Sequence, residues 1–139
     1  MDSFSTLGKA TVKKAREKGI KAGLLRLRLL RPFPAKDIMA AIKGKKAVTV
    51  LDQNISIGKG GILYPEIAGA LYNEKERPLL LSFIGGLGGK NISPGEFEFI
   101  FDSMIKSVKT GVIPEPQLLY TDAEWNEMER IKKIAGKKI

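Results

Sequence analysis

The run Ala47-Val48-Thr49-Val50-Leu51 is apolar, rich in β-branched residues and too short to stand as a helix. Asp52, Gln53 and Asn54 follow at once, then Ser56, Gly58, Gly60 and Gly61. A hydrophobic strand ending in polar residues and glycines marks the edge of an open α/β sheet. Ligands and neighbouring subunits dock at the carboxyl ends of such strands. Asp52 and Asn54 either hydrogen-bond their own turn or face a partner there, and the turn is the commoner use of these side chains. Leu79–Ile84 reads as a second strand of the sheet interior. Between the two, Ile62 to Tyr72 has helical spacing, with Leu63, Ile67, Ala70 and Leu71 on one face and Pro65 in the first turn.

The remaining segments extend this alternation. Ser5 or Thr6 caps a helix running to Lys18, stopped by Gly19. Leu25, Leu27 and Leu29 then alternate with Arg26 and Arg28, which predicts a strand from Gly23 to Leu30. Leu24 and Leu30 share the arginine face, so that face is expected to meet protein, with the arginine heads reaching acids on a neighbouring element. Arg31-Pro32-Phe33-Pro34 makes a stiff corner, and Pro34 opens a short helix ended by Gly44. Ser93 caps a helix to Lys109 with Glu96 in its first turn, and Gly111 stops it. Val112–Tyr120 is expected to be extended. Asp122 caps a last helix, Ala123 to Ala135, which carries Trp125, Met128, Ile131 and Ile134, and Lys137-Lys138-Ile139 frays. The order predicts an α/β fold with a mostly parallel sheet between helix layers. Residues 1–110 form the domain, and 111–139 form an extended segment and a helix packed on it.

The chain of 139 residues contains neither cysteine nor histidine. Disulfides, thiolate chemistry and cysteine-ligated clusters are excluded, as are the commonest general base and metal ligand. No apolar run reaches the length of a membrane span, Met1 to Ala10 lacks a signal-peptide pattern, and a cytoplasmic location is the default. Residues 1–46 hold 13 Lys and Arg against 3 acids, a net of +10, whereas residues 47–139 hold 11 against 12. This basic third suits a polyanion or an acidic partner. Aromatic residues are not interleaved with the early charges until Phe33, which argues against nucleic acid. The loop Gly85-Gly86-Leu87-Gly88-Gly89-Lys90-Asn91 fails the phosphate-loop test, because Ile84 and Asn91 stand where a glycine and a Ser or Thr are needed. It also lacks the third glycine of a dinucleotide fingerprint.

Three segments together, GIKAGLLRLRLLRPFP, AVTVLDQNISIGKGGILYPEI and LLLSFIGGLGGKNIS, resemble in order and spacing the C-terminal part of the alpha chain of pyruvate:ferredoxin oxidoreductase (pyruvate synthase) and of its 2-oxoacid:ferredoxin oxidoreductase relatives. The resemblance covers residues 3 to 105. It implies a transketolase C-terminal-like domain, a three-layer α/β/α fold with a five-stranded mixed sheet. It also implies membership of a complex with beta, gamma and delta subunits that converts pyruvate and coenzyme A to acetyl-CoA and CO2 and reduces ferredoxin. Thiamine diphosphate with magnesium and the iron–sulfur clusters belong to other parts of that complex, so no cofactor, catalytic or metal site is expected in this chain. Gln53 stands where the family often has arginine. Met1-Asp2-Ser3-Phe4 resembles the end of a family strand whose earlier part is absent here, so the sheet is expected to lack an N-terminal strand.

The function expected is structural: the C-terminal assembly domain of the alpha subunit. Arg26, Arg28, Arg31 and Asn54 are the candidates for partner or anion contacts, since arginine forks suit phosphate and carboxylate alike. The alternatives are an alpha-subunit domain for another 2-oxoacid, such as 2-oxoglutarate or a branched-chain acid, and a stand-alone basic module that binds polyanions.

Overall fold

The structure, a computed structural model, describes residues 2–56 and 58–136. The fraying expected of Lys137-Lys138-Ile139 lies outside the described residues. The described residues form five helices and three strands, in the order α1 (Asp2–Glu17), α2 (Ala35–Ile42), β1 (Ala47–Asp52), α3 (Leu63–Leu71), β2 (Leu79–Ile84), α4 (Pro94–Thr110), β3 (Gln117–Leu118) and α5 (Asp122–Gly136). A short 3-10 turn, Leu87–Gly89, lies between β2 and α4.

The sheet has the order β1-β2-β3 and is parallel throughout. β1 and β2 pair in full, from Ala47 opposite Leu79 to Asp52 opposite Ile84. β3 adds two residues, with Phe83 opposite Gln117 and Ile84 opposite Leu118. Strand side chains alternate between faces, and the two cores follow that alternation. Ala47, Leu51, Leu79, Leu81 and Phe83 pack with Phe4 and Leu7 of α1, Phe97 and Ile100 of α4, Ile92 and Leu119. Val48, Val50 and Leu80 pack with Ile38 and Ile42 of α2 and with Ile67 and Leu71 of α3. The result is three layers, α/β/α, with the sheet in the middle.

Local signals set the helix ends. Ser93 Oγ accepts the Glu96 N–H at 3.2 Å while the Glu96 carboxylate accepts the Ser93 N–H at 2.6 Å, a reciprocal cap. Gly111 stops α4 with φ 72°, a left-handed turn that a side chain would resist. The last helix is capped by Thr121 rather than Asp122. Glu124 accepts the Thr121 N–H at 2.7 Å, and Thr121 Oγ1 accepts the Glu124 N–H at 3.4 Å.

Several expectations are corrected. Gly23–Leu30 is not a strand, and among the described residues no strand pairs with the outer edge of β1. A strand exists only through its ladder, and without a neighbour the leucine alternation has nothing to register against. Leu27 packs on the core, but Leu24, Leu25, Leu29 and Leu30 are exposed, as are Arg26 and Arg28. Asp2 to Phe4 is the start of α1 and not the end of a strand. Among the described residues the sheet has three parallel strands rather than five mixed ones, and its third is β3.

Candidate functional site

Two of the polar residues singled out in the sequence, Asp52 and Asn54, meet the start of α3 at the carboxyl end of β1. The Asp52 side chain is buried and points at the first turn of α3. Its two oxygens accept the backbone N–H groups of Leu63 at 3.1 Å and Tyr64 at 3.2 Å. Asn54 Oδ1 accepts the N–H of Ile62 at 2.8 Å. Three amides that open a helix are thus satisfied by two side chains from the preceding strand end. Gly61 makes the approach possible. A Cβ there would sit 2.2 Å from Asp52 Cβ and Cγ, so no side chain fits at that position. Burial pushes the Asp52 carboxyl above its ordinary value, opposed by the two amides, which favour its ionised form.

A helix N-terminus with glycines before it ordinarily attracts a phosphate. Here the chain's own carboxylate takes that position, and Asn54 takes the next amide. The β1–α3 turn therefore holds the sheet to the helix. The bridge is internal and consumes the polar groups that could otherwise have met a ligand.

Arg31 stands at the proline corner, whose Arg31–Pro32 bond is cis. Its guanidinium donates to Glu66 Oε1 of α3 at 2.5 Å and to the carbonyl of Leu30 at 3.0 Å. Beside this pair runs an open cleft of about 430 Å³ lined by Phe33, Pro65, Glu66, Gly69 and Ala70. Asn54 and Arg31 thus both reach the first turns of α3. Arg26 and Arg28 do not join them and lie on the exposed segment 20–30.

A second polar cluster was not expected from the sequence. Lys90, after the glycine loop, donates to Glu124 of α5 and approaches the buried Glu96 of α4 at 3.5 Å. Partial burial opposes the Lys90 charge, but the Glu124 hydrogen bond and the charges of Glu96 and Glu124 outweigh it and hold the ammonium above its ordinary value. The Lys90 hydrogen bond, helped by the Thr121 amide, holds Glu124 below the usual carboxylate value. The spacings Ser93-x-x-Glu96 and Thr121-x-x-Glu124 were the available signals, since each is a capping box. Nothing local announced that Lys90 would join them. Among the described residues no three acidic or other ligating side chains gather as a metal site, and no helix is long and apolar enough to cross a membrane.

Comparison with known proteins fixes the family. The pyruvate:ferredoxin oxidoreductase core domain II matches residues 1–97, from α1 into the first turn of α4, with the Asp52 bridge inside the match. The chain belongs to this family. The ketoisovalerate oxidoreductase subunit VorA of Pyrococcus abyssi is 33% identical over 130 residues, which is 94% of this chain and 31% of that subunit. The pyruvate synthase subunit PorA of Methanosarcina barkeri is 39% identical over 120 residues, 86% of this chain and 30% of the subunit. That of Thermotoga maritima is 38% identical over 105 residues, 76% of this chain and 27% of the subunit. The chain therefore spans about a third of the length of the curated relatives it matches.

Proposed function

We propose that this chain is the assembly domain of the alpha subunit of a cytoplasmic 2-oxoacid:ferredoxin oxidoreductase. Pyruvate and coenzyme A are the expected substrates, acetyl-CoA and CO2 the products, and ferredoxin the electron acceptor. The observation that carries this reading is the match to core domain II across residues 1–97. The site geometry supports a scaffolding role, because the polar residues at the sheet's carboxyl edge are committed to holding β1 to α3. Thiamine diphosphate with magnesium would supply the carbon chemistry, and iron–sulfur clusters the electron path. The chain has no cysteine to ligate an iron–sulfur cluster. These groups are assigned to other parts of the complex, with the beta, gamma and delta subunits as partners.

Arg26 and Arg28 are proposed as partner contacts, because they stand on an exposed basic segment. A contact from Arg31 or Asn54 would come at the expense of α3, which both engage. The test is reconstitution with the beta, gamma and delta subunits and the N-terminal part of a cognate alpha chain. A stoichiometric complex that restores 2-oxoacid-dependent ferredoxin reduction is expected. A folded chain that ignores those partners overturns the reading. In that complex Arg31→Ala is expected to raise the KM for coenzyme A if the residue serves as an anion contact, and unchanged KM and assembly remove it. Both pyruvate and ketoisovalerate belong in the assay, because relatives named for each match at similar identity.

A further inference from the structure

The first four helices are held by what they bury. Val12 of α1, Ile38 of α2, Ile67 of α3 and Phe97 of α4 all lie in the interior. Helix α5 has no buried residue, and every residue in it except Glu129 is exposed. Most helices in folded domains owe their stability to a packed face. α5 relies instead on its own ends and charges. Thr121 and Glu124 cap it reciprocally. Glu127 pairs with Arg130 at 2.7 Å and Glu129 with Lys132 at 3.1 Å, each within the helix. Asp122 and Glu124 in the first turn and Lys133 in the last complement the helix dipole.

The root of α5 is firmly placed. Leu119 is buried in the core, and its N–H donates to the Ile84 carbonyl of β2 at 2.7 Å. Tyr120 is the joint between that anchored residue and the helix cap. Its ring stacks on Trp125, with centroids 5.2 Å apart, and so belongs with the helix. The tie from α5 to the domain is the ion pair of Glu124 with Lys90. Lys90 serves two unequal carboxylates. Glu96 is buried, lies 3.5 Å from the ammonium, and is fixed by the Ser93 N–H. Glu124 is half-exposed and belongs to α5. When Glu124 leaves, Lys90 still neutralises Glu96, and Glu124 enters water with the Thr121 amide still bound. Opening here strands no buried charge or amide, the penalties that keep the other elements docked.

We infer that α5 is a hinged arm, latched by the Lys90–Glu124 pair to the loop after β2 and released as an intact helix about Tyr120 while the three-layer domain stays folded. Release uncovers Lys90, which follows the glycine loop at the carboxyl end of β2. That end of an open α/β sheet is where ligands and subunits dock. The inference is independent of the oxidoreductase reading.

Glu124→Gln tests it, because glutamine still caps Thr121 but carries no charge for Lys90. The chain has no cysteine, so nitroxide labels on Lys106→Cys of α4 and Lys133→Cys of α5 report their separation by pulsed electron spin resonance. The labelled 139-residue chain at low ionic strength is expected to give one narrow distance. Glu124→Gln is expected to lose it, as is the parent at about 1 M salt, which screens an exposed pair. Helical circular dichroism and hydrogen-exchange protection at Val50 and Leu81 are expected to be unchanged in Glu124→Gln. Glu127→Gln removes the same charge without touching Lys90 and is expected to keep the narrow distance. A distance that stays narrow in Glu124→Gln, a broad one in the parent at low salt, or an equal loss in Glu127→Gln overturns the inference. So does a loss of helical signal or of Val50 and Leu81 protection in Glu124→Gln.

Discussion

Replacing Asp52 by alanine would leave the amides of Leu63 and Tyr64 without acceptors in a partly buried setting. A lost cap together with an unpaired buried donor costs about 2 kcal/mol. Urea unfolding of Asp52→Ala is expected to show that loss, with Asn54→Ala losing about half as much because Asn54 serves one amide. The same carboxylate carries a pH signature. Its folded pKa is raised above 3.8, chiefly by burial, so the folded chain binds this proton more tightly than the unfolded chain does. The associated stability is complete below pH 3.8, falls as pH rises through the raised folded value, and levels off once the carboxyl is ionised. Measured stability of the wild-type chain relative to Asp52→Asn should follow that course, and a flat difference across acidic pH would refute it. Asp52 and Asn54 were legible as turn ligands from their place after a strand. Their target was not, because Leu63 and Ile62 are reached only once β1 and α3 are stacked.

At the scale of elements, β1 and β2 were legible because their signal is local: short apolar runs closed by polar residues or glycine. Gly23–Leu30 has an equally good period of two and is not a strand, because strand formation is decided by a neighbour. β3 has two paired residues after Pro114 and Pro116, too few to leave a period. β1 makes the point measurable. Lys46 and Asp52 offer their carbonyls to Leu79 and Gly85, so the even-numbered residues face β2. The amides of Ala47, Thr49 and Leu51 therefore face the outer edge. Hydrogen exchange is expected to be faster at Thr49 and Leu51 than at Val50 and Leu81. Uniform protection along β1 would mean that its outer edge is covered in solution.

For the whole molecule, the helix layers and their two cores followed from alternation of short segments, whereas strand count and sheet edge depended on pairings that no segment contains. The distribution of charge was legible outright, and it meets the Asp52 bridge in an unexpected place. The net +10 of residues 1–46 lies mostly on exposed lysines and arginines that repel one another through water. Dissolved ions at 0.1 M screen such repulsion beyond about 10 Å but act much less on a buried contact. Raising ionic strength from near zero to physiological levels should therefore raise the melting temperature of the wild-type chain. The penalty of Asp52→Ala should stay constant over the same range. The first turn of α3 is neutralised from within by Asp52, whereas dissolved salt acts on the exposed charges of the N-terminal third.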